Sequence, residues 1–163
     1  MEKTALIFGA SSGIGLNISA LLAEKGYRVY NSSRRQSPDI RIQNILCDTS
    51  KGEEIENVYK VFREKEQRLD TLIYCSGASM AAPFEFTREE DYRYLYEVNF
   101  FGLAKAVQLA VPLLKDSMGK IILISSHAAV LPVPYDLFYS CAKASVNAFA
   151  MALRLELDNY GIK

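Results

Sequence analysis

Tryptophan is absent from the 163 residues, histidine occurs once, as His127, and there are only three cysteines, Cys47, Cys75 and Cys141, far apart and odd in number. Without a CxxC pair or a Cys/His cluster, neither a zinc site nor a disulfide framework is expected, and scattered cysteines suit a reducing compartment. Net charge is also missing, with 19 basic and 19 acidic residues. Nothing in that balance draws the chain toward nucleic acid or an anionic membrane. Met1-Glu2-Lys3 leads straight into Ala5-Leu6-Ile7-Phe8, an apolar run too short for a signal sequence or a membrane span, so a cytoplasmic location is expected. No repeat, low-complexity tract or Pro/Gly linker divides the sequence, and residues 1–163 read as a single domain.

Short, nearly continuous apolar runs alternate with longer amphipathic stretches. Thr4–Phe8, Arg28–Asn31, Ile42–Leu46, Thr71–Tyr74 and Lys120–Ser125 read as strands covered on both faces. Helices are predicted over Ile14–Lys25, with Ile14, Ile18, Leu21 and Leu22 on one face, and over Glu53–Arg68, Asp91–Leu114 and Tyr139–Asp158. Ser50 with Glu53 and Thr87 with Glu90 have the spacing of capping boxes, and Pro112 is expected to disturb the third helix. The alternation predicts an α/β fold, a Rossmann-type doubly wound parallel sheet in three α/β/α layers. Ligands of such sheets bind beyond the carboxyl ends of the strands.

The first strand runs into Gly9-Ala10-Ser11-Ser12-Gly13-Ile14-Gly15. Gly9 permits the tight turn, Gly13 lets backbone approach a pyrophosphate, and Gly15 lets the helix pack closely on the sheet. Free N–H groups at the helix start then face the phosphates. Gly9, Ser11, Ser12, Gly13, Ile14 and Gly15 are therefore candidate cofactor residues. The second strand leads into Ser32-Ser33-Arg34-Arg35. NAD-binding sheets place a carboxylate here for the ribose 2′-hydroxyl. Ser33 stands in its place and Arg34 follows, a pair suited to a 2′-phosphate, so the expected cofactor is NADP(H). Tyr139 and Lys143, four apart, share a helix face. An ammonium on that face favours phenolate over phenol, as a general acid/base working near neutral pH requires.

The glycine spacing, Ser126 thirteen residues before Tyr139, and Asn99 within Val98-Asn99-Phe100-Phe101-Gly102 together resemble the short-chain dehydrogenase/reductase family over the whole chain. The resemblance implies a catalytic group of Asn99, Ser126, Tyr139 and Lys143. In it Tyr139 exchanges the proton, Ser126 holds the carbonyl oxygen, and Lys143 binds the nicotinamide ribose. Asn99 holds a water that relays protons from Lys143. It also implies that Asp48 sits beside the adenine and that Gly77 belongs to the cofactor loop. Asn99, Tyr139 and Lys143 then border the cofactor as well. The substrate is a small-molecule carbonyl or alcohol, and a homodimer or homotetramer is expected. Two departures are visible: Tyr74-Cys75-Ser76-Gly77 stands where the family has Asn-Asn-Ala-Gly, and Phe8 replaces a threonine. His127, Pro132, Pro134 and Tyr135 read as surface or as pocket wall. Family members continue past Gly161-Ile162-Lys163 into further strands, a turn over the nicotinamide and a substrate loop. On that comparison the chain is expected to lack the last strands, leave the fifth strand as an edge, bind NADP(H) weakly and turn over little. The alternatives are a non-catalytic NADP-binding fragment or interaction protein and, less well matched by the glycine spacing, a nucleotide-sugar epimerase.

Overall fold

Alternation along the strands decides how the layers form. The computed structural model of the chain describes residues 2–163. In β1 (Thr4–Phe8), Leu6 and Phe8 point to one face of the sheet and Ala5 and Ile7 to the other, all fully buried. β2 (Arg28–Ser33), β3 (Gln43–Leu46), β4 (Thr71–Tyr74) and β5 (Lys120–Leu123) pair with it in one parallel sheet of order β3-β2-β1-β4-β5. The order reverses between β1 and β4, so a crevice opens beyond their carboxyl ends. α1 (Gly13–Glu24) covers the Ala5/Ile7 face. α2 (Gly52–Lys65), α4 (Gly102–Lys115) and α5 (Leu137–Leu157) cover the Leu6/Phe8 face, the larger core. This is the doubly wound three-layer fold. β5 is the sheet's edge strand, and among the described residues only Lys163 pairs on its outer side, through Ile121 N to Lys163 O at 2.8 Å and Lys163 N to Gly119 O at 3.1 Å.

Several local expectations are corrected by tertiary contacts. The buried face of α1 runs through Gly15 and Ser19 with Ile18 and Leu22 beside them, whereas Ile14 and Leu21 are exposed. Small residues on that face let the helix lie close on β1, and this rotates Ile14 out toward the crevice. Neither capping box forms. Lys51 and Arg88 precede their helices without side-chain caps. Ser50 Oγ instead donates to Asp48 Oδ1 (2.8 Å), and Thr87 Oγ1 donates to Pro83 O (3.0 Å). The Asp48 turn thus competes successfully for the serine that the helix would have used.

The third helix is not disturbed at Pro112, which sits inside α4. The carbonyl that proline leaves without its N–H partner belongs to Gln108, an exposed residue open to solvent. The irregularity lies earlier, between α3 (Glu89–Tyr96) and α4, as a π turn over Glu97–Phe101. Its cause is Asn99, whose Nδ2 donates to Leu95 O at 2.9 Å. A side chain holding the i−4 carbonyl shifts the backbone ladder by one residue. By length and composition the stretch Glu89–Lys115 is apolar enough to cross a membrane, but half of its most apolar window is buried inside the protein.

Candidate active site

The glycine loop leaves β1 through Gly9, at φ +91°, a left-handed conformation that a Cβ would strain. A Cβ there would also lie 2.7 Å from Ser76 N. A Cβ on Gly15 would overlap the carbonyl oxygen of Gly9, so α1 can start this close to β1 only with glycine at both places. Asn31 braces the turn by accepting from Ala10 N at 2.9 Å. Gly13 is left-handed and faces open space. The first amides of α1 lack intrahelical acceptors, and with the helix dipole they suit an anion.

The loop forms one wall of an open crevice. Gly9, Ser11, Ser12, Ile14 and Gly15 line it on the α1 side. Ser33 and Arg34 line it beyond β2, Asp48 beyond β3 and Gly77 beyond β4. The cofactor residues predicted outside the catalytic group, Gly13 excepted, therefore line one crevice. Burial pushes the Asp48 carboxyl up, but hydrogen bonds from Ser50 and the charges of Arg34 and Lys51 outweigh burial and hold it below the usual carboxylate value.

Two expectations change here. Ser33 is not a spare donor, because its single hydroxyl hydrogen is shared between Arg35 O (2.7 Å) and Asn31 Oδ1 (2.9 Å). It shapes the loop and leaves anion recognition to arginine. Among the lining residues outside the predicted cofactor set are Arg35 and Tyr94. Tyr94 Oη accepts from Arg34 Nη1 at 3.5 Å, across the crevice mouth. The available signal was position: Tyr94 lies five residues before Asn99 on the helix that borders the crevice.

Gly77 joins the crevice to the catalytic group. A Cβ on it would lie 3.1 Å from Asn99 Oδ1 and 3.7 Å from Lys143 Nζ. Asn99 is fully buried, and its side chain is fully employed. Nδ2 donates to Ala78 O (2.7 Å) and Leu95 O, while Oδ1 accepts from Ala78 N (3.3 Å). No side-chain donor is left for a relay water, so that expected role narrows to a lone pair on Oδ1. Lys143 is 4 % exposed and donates from Nζ to Ile124 O at 3.0 Å. Its Nζ lies 5.8 Å from the centre of the Tyr139 ring, in the first turn of α5. β5 ends at Leu123, two residues before Ser125. Ser125 Oγ reaches Lys143 O (3.3 Å), and Ser126 Oγ accepts from Ala128 N (3.2 Å), capping a short turn over His127–Ala129. His127 is exposed.

Burial lowers the Lys143 ammonium below its ordinary value, and the effect of Cys75 in the opposite direction is smaller. The folded state therefore releases this proton at a lower pH than the unfolded chain does. Below the folded pKa both states are charged and the burial cost is complete. As pH rises from there toward about 10.5 the cost is relieved. Stability of the wild type relative to Lys143→Met is expected to rise across that window in urea titrations between pH 7 and 10. A flat difference would show that the ammonium is not desolvated.

The profile of the short chain dehydrogenase family matches residues 3–163. A 3-ketodihydrosphingosine reductase of Bacteroides thetaiotaomicron is 32 % identical over 160 residues, which cover 97 % of this chain and 60 % of that protein. A probable short-chain type dehydrogenase/reductase of Helicobacter pylori, VdlC, is 35 % identical, covering 98 % of this chain and 61 % of its own. The chain thus spans about 60 % of the length of these curated relatives. A short chain dehydrogenase of Leptospira borgpetersenii, solved with bound NAD+, superposes with a TM-score of 0.92 at 25 % identity over all of this chain and 68 % of that one. A match that runs through the whole glycine loop, crevice and Tyr139/Lys143 helix places the chain in the short-chain dehydrogenase family of oxidoreductases.

Proposed function

We propose that this chain holds NADP(H) and the proton-transferring group of an oxidoreductase that interconverts a carbonyl and an alcohol. The observation that carries the reading is the junction at Gly77, where the crevice of the glycine loop meets Asn99 and Lys143 with no side chain between. When bound, the cofactor gives a hydride to the carbonyl carbon or takes one from the alcohol. Tyr139 gives its hydroxyl proton to the carbonyl oxygen in reduction and recovers it in oxidation. Ser126 accepts from Ala128 N and so keeps its own hydrogen for that oxygen. Lys143 reaches the ribose hydroxyls and, as a cation, favours the Tyr139 phenolate. Asn99 positions the Gly77–Ala78 backbone.

The preference for NADP(H) rests on arginine. No carboxylate stands at Ser33, and Arg34 and Arg35 both line the crevice beside Asp48. A guanidinium–phosphate hydrogen bond is worth about 1.5–3 kcal/mol. Arg34→Ala is therefore expected to weaken NADPH binding roughly 10- to 100-fold while leaving NADH within about twofold. Calorimetric titration of both cofactors decides the matter, and tighter binding of NADH than NADPH by the wild type would overturn the assignment.

A second copy of the chain is the partner proposed for the outer faces of the π turn that leads into α4 and of α5, where Phe101, Met151 and Leu155 are exposed. Light scattering at micromolar concentration should give at least a dimer mass, and a monomer mass would contradict the pairing.

A further inference from the structure

At the start of α5, where Leu137 and Ser140 flank Tyr139 in the chain, lies a pocket of about 480 Å3. One wall is Ala82–Phe84 and the other is Ala128–Ala129 with Pro132–Tyr135, joined by Ala82 N donating to Tyr135 O at 2.9 Å. The floor is the start of α5, including Leu137 and Ser140. No charged side chain lines it. The loops around it carry exposed apolar groups, among them Phe84 at 66 %, Leu131 at 68 % and Tyr135 at 65 % exposure. Such a concentration marks a binding surface rather than scattered surface apolarity.

Two polar observations say what kind of molecule fits. Ser140, only 4 % exposed, lines the pocket, and its Oγ is buried without a hydrogen-bond partner. A buried hydroxyl left unpaired is unfavourable, and a ligand oxygen in the pocket would pair it. Just before α5, four residues from Ser140, Asp136 Oδ1 is also buried and unpaired. Asp136 does not itself line the pocket, but its negative charge one turn from Ser140 disfavours an anion there. The pocket also adjoins the reacting group at two points. Ser140 directly follows Tyr139, and Ala128, in the wall, is the residue whose N–H bonds Ser126 Oγ.

We infer that the substrate is an uncharged lipophilic ketone or secondary alcohol whose aliphatic body lies in this pocket, with one hydrogen-bonding oxygen for Ser140. The inference rests on the hydride-transfer reading above for the identity of the reacting carbonyl. Sugars would bring more hydroxyls than the pocket can pair, and oxo acids would bring charge of the wrong sign.

The test is binding of two probes of equal chain length, 2-undecanone and 2-oxoundecanoate, followed by ligand-observed NMR with and without saturating NADP+. The ketone is expected to bind at least tenfold more tightly than the oxo acid. Val133→Asp places a carboxylate in the loop wall and should weaken the ketone at least tenfold, with NADP+ affinity within twofold of wild type. Among 2-undecanones carrying one hydroxyl along the chain, the best should outbind the parent ketone, and Ser140→Ala should remove that advantage. Equal affinity for the two probes overturns the proposal, as does a Val133→Asp chain that still binds NADP+ and the ketone normally. Loss of NADP+ binding with ketone binding intact would instead sink the hydride-transfer reading and leave the pocket assignment standing.

Discussion

Tyr139→Phe is expected to lower carbonyl turnover by about 10²- to 10⁴-fold, the usual worth of a general acid/base. The substitution removes one oxygen. The Tyr139 hydroxyl makes no hydrogen bond with another protein group among the described residues, so nothing within the fold is orphaned. Lys143 keeps its bond to Ile124 O, and the crevice walls before Ser50 are untouched. NADP(H) affinity should therefore change by no more than about threefold, well under 1 kcal/mol. Ser126 would still hold the substrate oxygen, so KM should move little while kcat falls. That split separates proton transfer from mere positioning. Stopped-flow measurement of NADPH oxidation, with cofactor affinity measured in parallel, is the check. Turnover within a few-fold of wild type would remove Tyr139 from the chemistry, and an equal fall in cofactor affinity would make its role structural.

The features that could be read in advance are those set by short-range rules. β1 and β4 were legible to the residue because a fully buried parallel strand is a bare apolar run, and both are buried throughout. The glycine loop was legible because Gly9 and Gly15 answer to a single local contact, the approach of α1 to the turn. The remaining details depend on partners distant in sequence. Which face of α1 is buried is settled by how close Gly15 comes to Gly9, and periodicity cannot report that rotation. Whether Ser33 is free to bind an anion depends on Asn31 and Arg35 competing for its one hydrogen. Tyr94 reaches the crevice only because α3 crosses its mouth. Ser50 carried the spacing of a cap, but its hydroxyl is turned to Asp48, to which it donates, and its oxygen accepts no N–H of the helix. Except for Tyr94, the residue was noticed and its partner was not.

Asn99 is the sharpest instance, and its replacement should have the largest effect on stability. An asparagine inside a helix looked suited to a water relay, yet its amide spans two elements. It closes a two-way clamp on Ala78 and takes Leu95 O out of the α-helical ladder, which produces the π turn at Glu97–Phe101, whereas the disturbance expected in advance lay at Pro112. Asn99→Leu keeps the branched skeleton, at some cost in bulk, and leaves one buried and two part-buried backbone groups unpaired. At about 1–3 kcal/mol for each group left unpaired, with partial relaxation, a loss of roughly 2–4 kcal/mol is expected. In a chain of this size that lowers Tm by about 5–15 °C. Asn99→Asp tests the clamp more finely. Its carboxylate can still accept from Ala78 N, but it sets negative charge against the carbonyls of Ala78 and Leu95. The folded pKa of the new carboxyl must then lie above its unfolded value near 4. A group raised in this way stabilises the fold fully below the unfolded pKa and loses that stabilisation as pH rises toward the folded pKa. The variant should thus approach wild-type stability near pH 4 and fall behind it by up to about 1.4 kcal/mol per pH unit above that, until the carboxyl ionises in the folded state. Parallel denaturation curves for Asn99→Asp and wild type from pH 4 to 7 would mean that Nδ2 holds neither carbonyl, and that the clamp and the origin of the π turn are both misassigned.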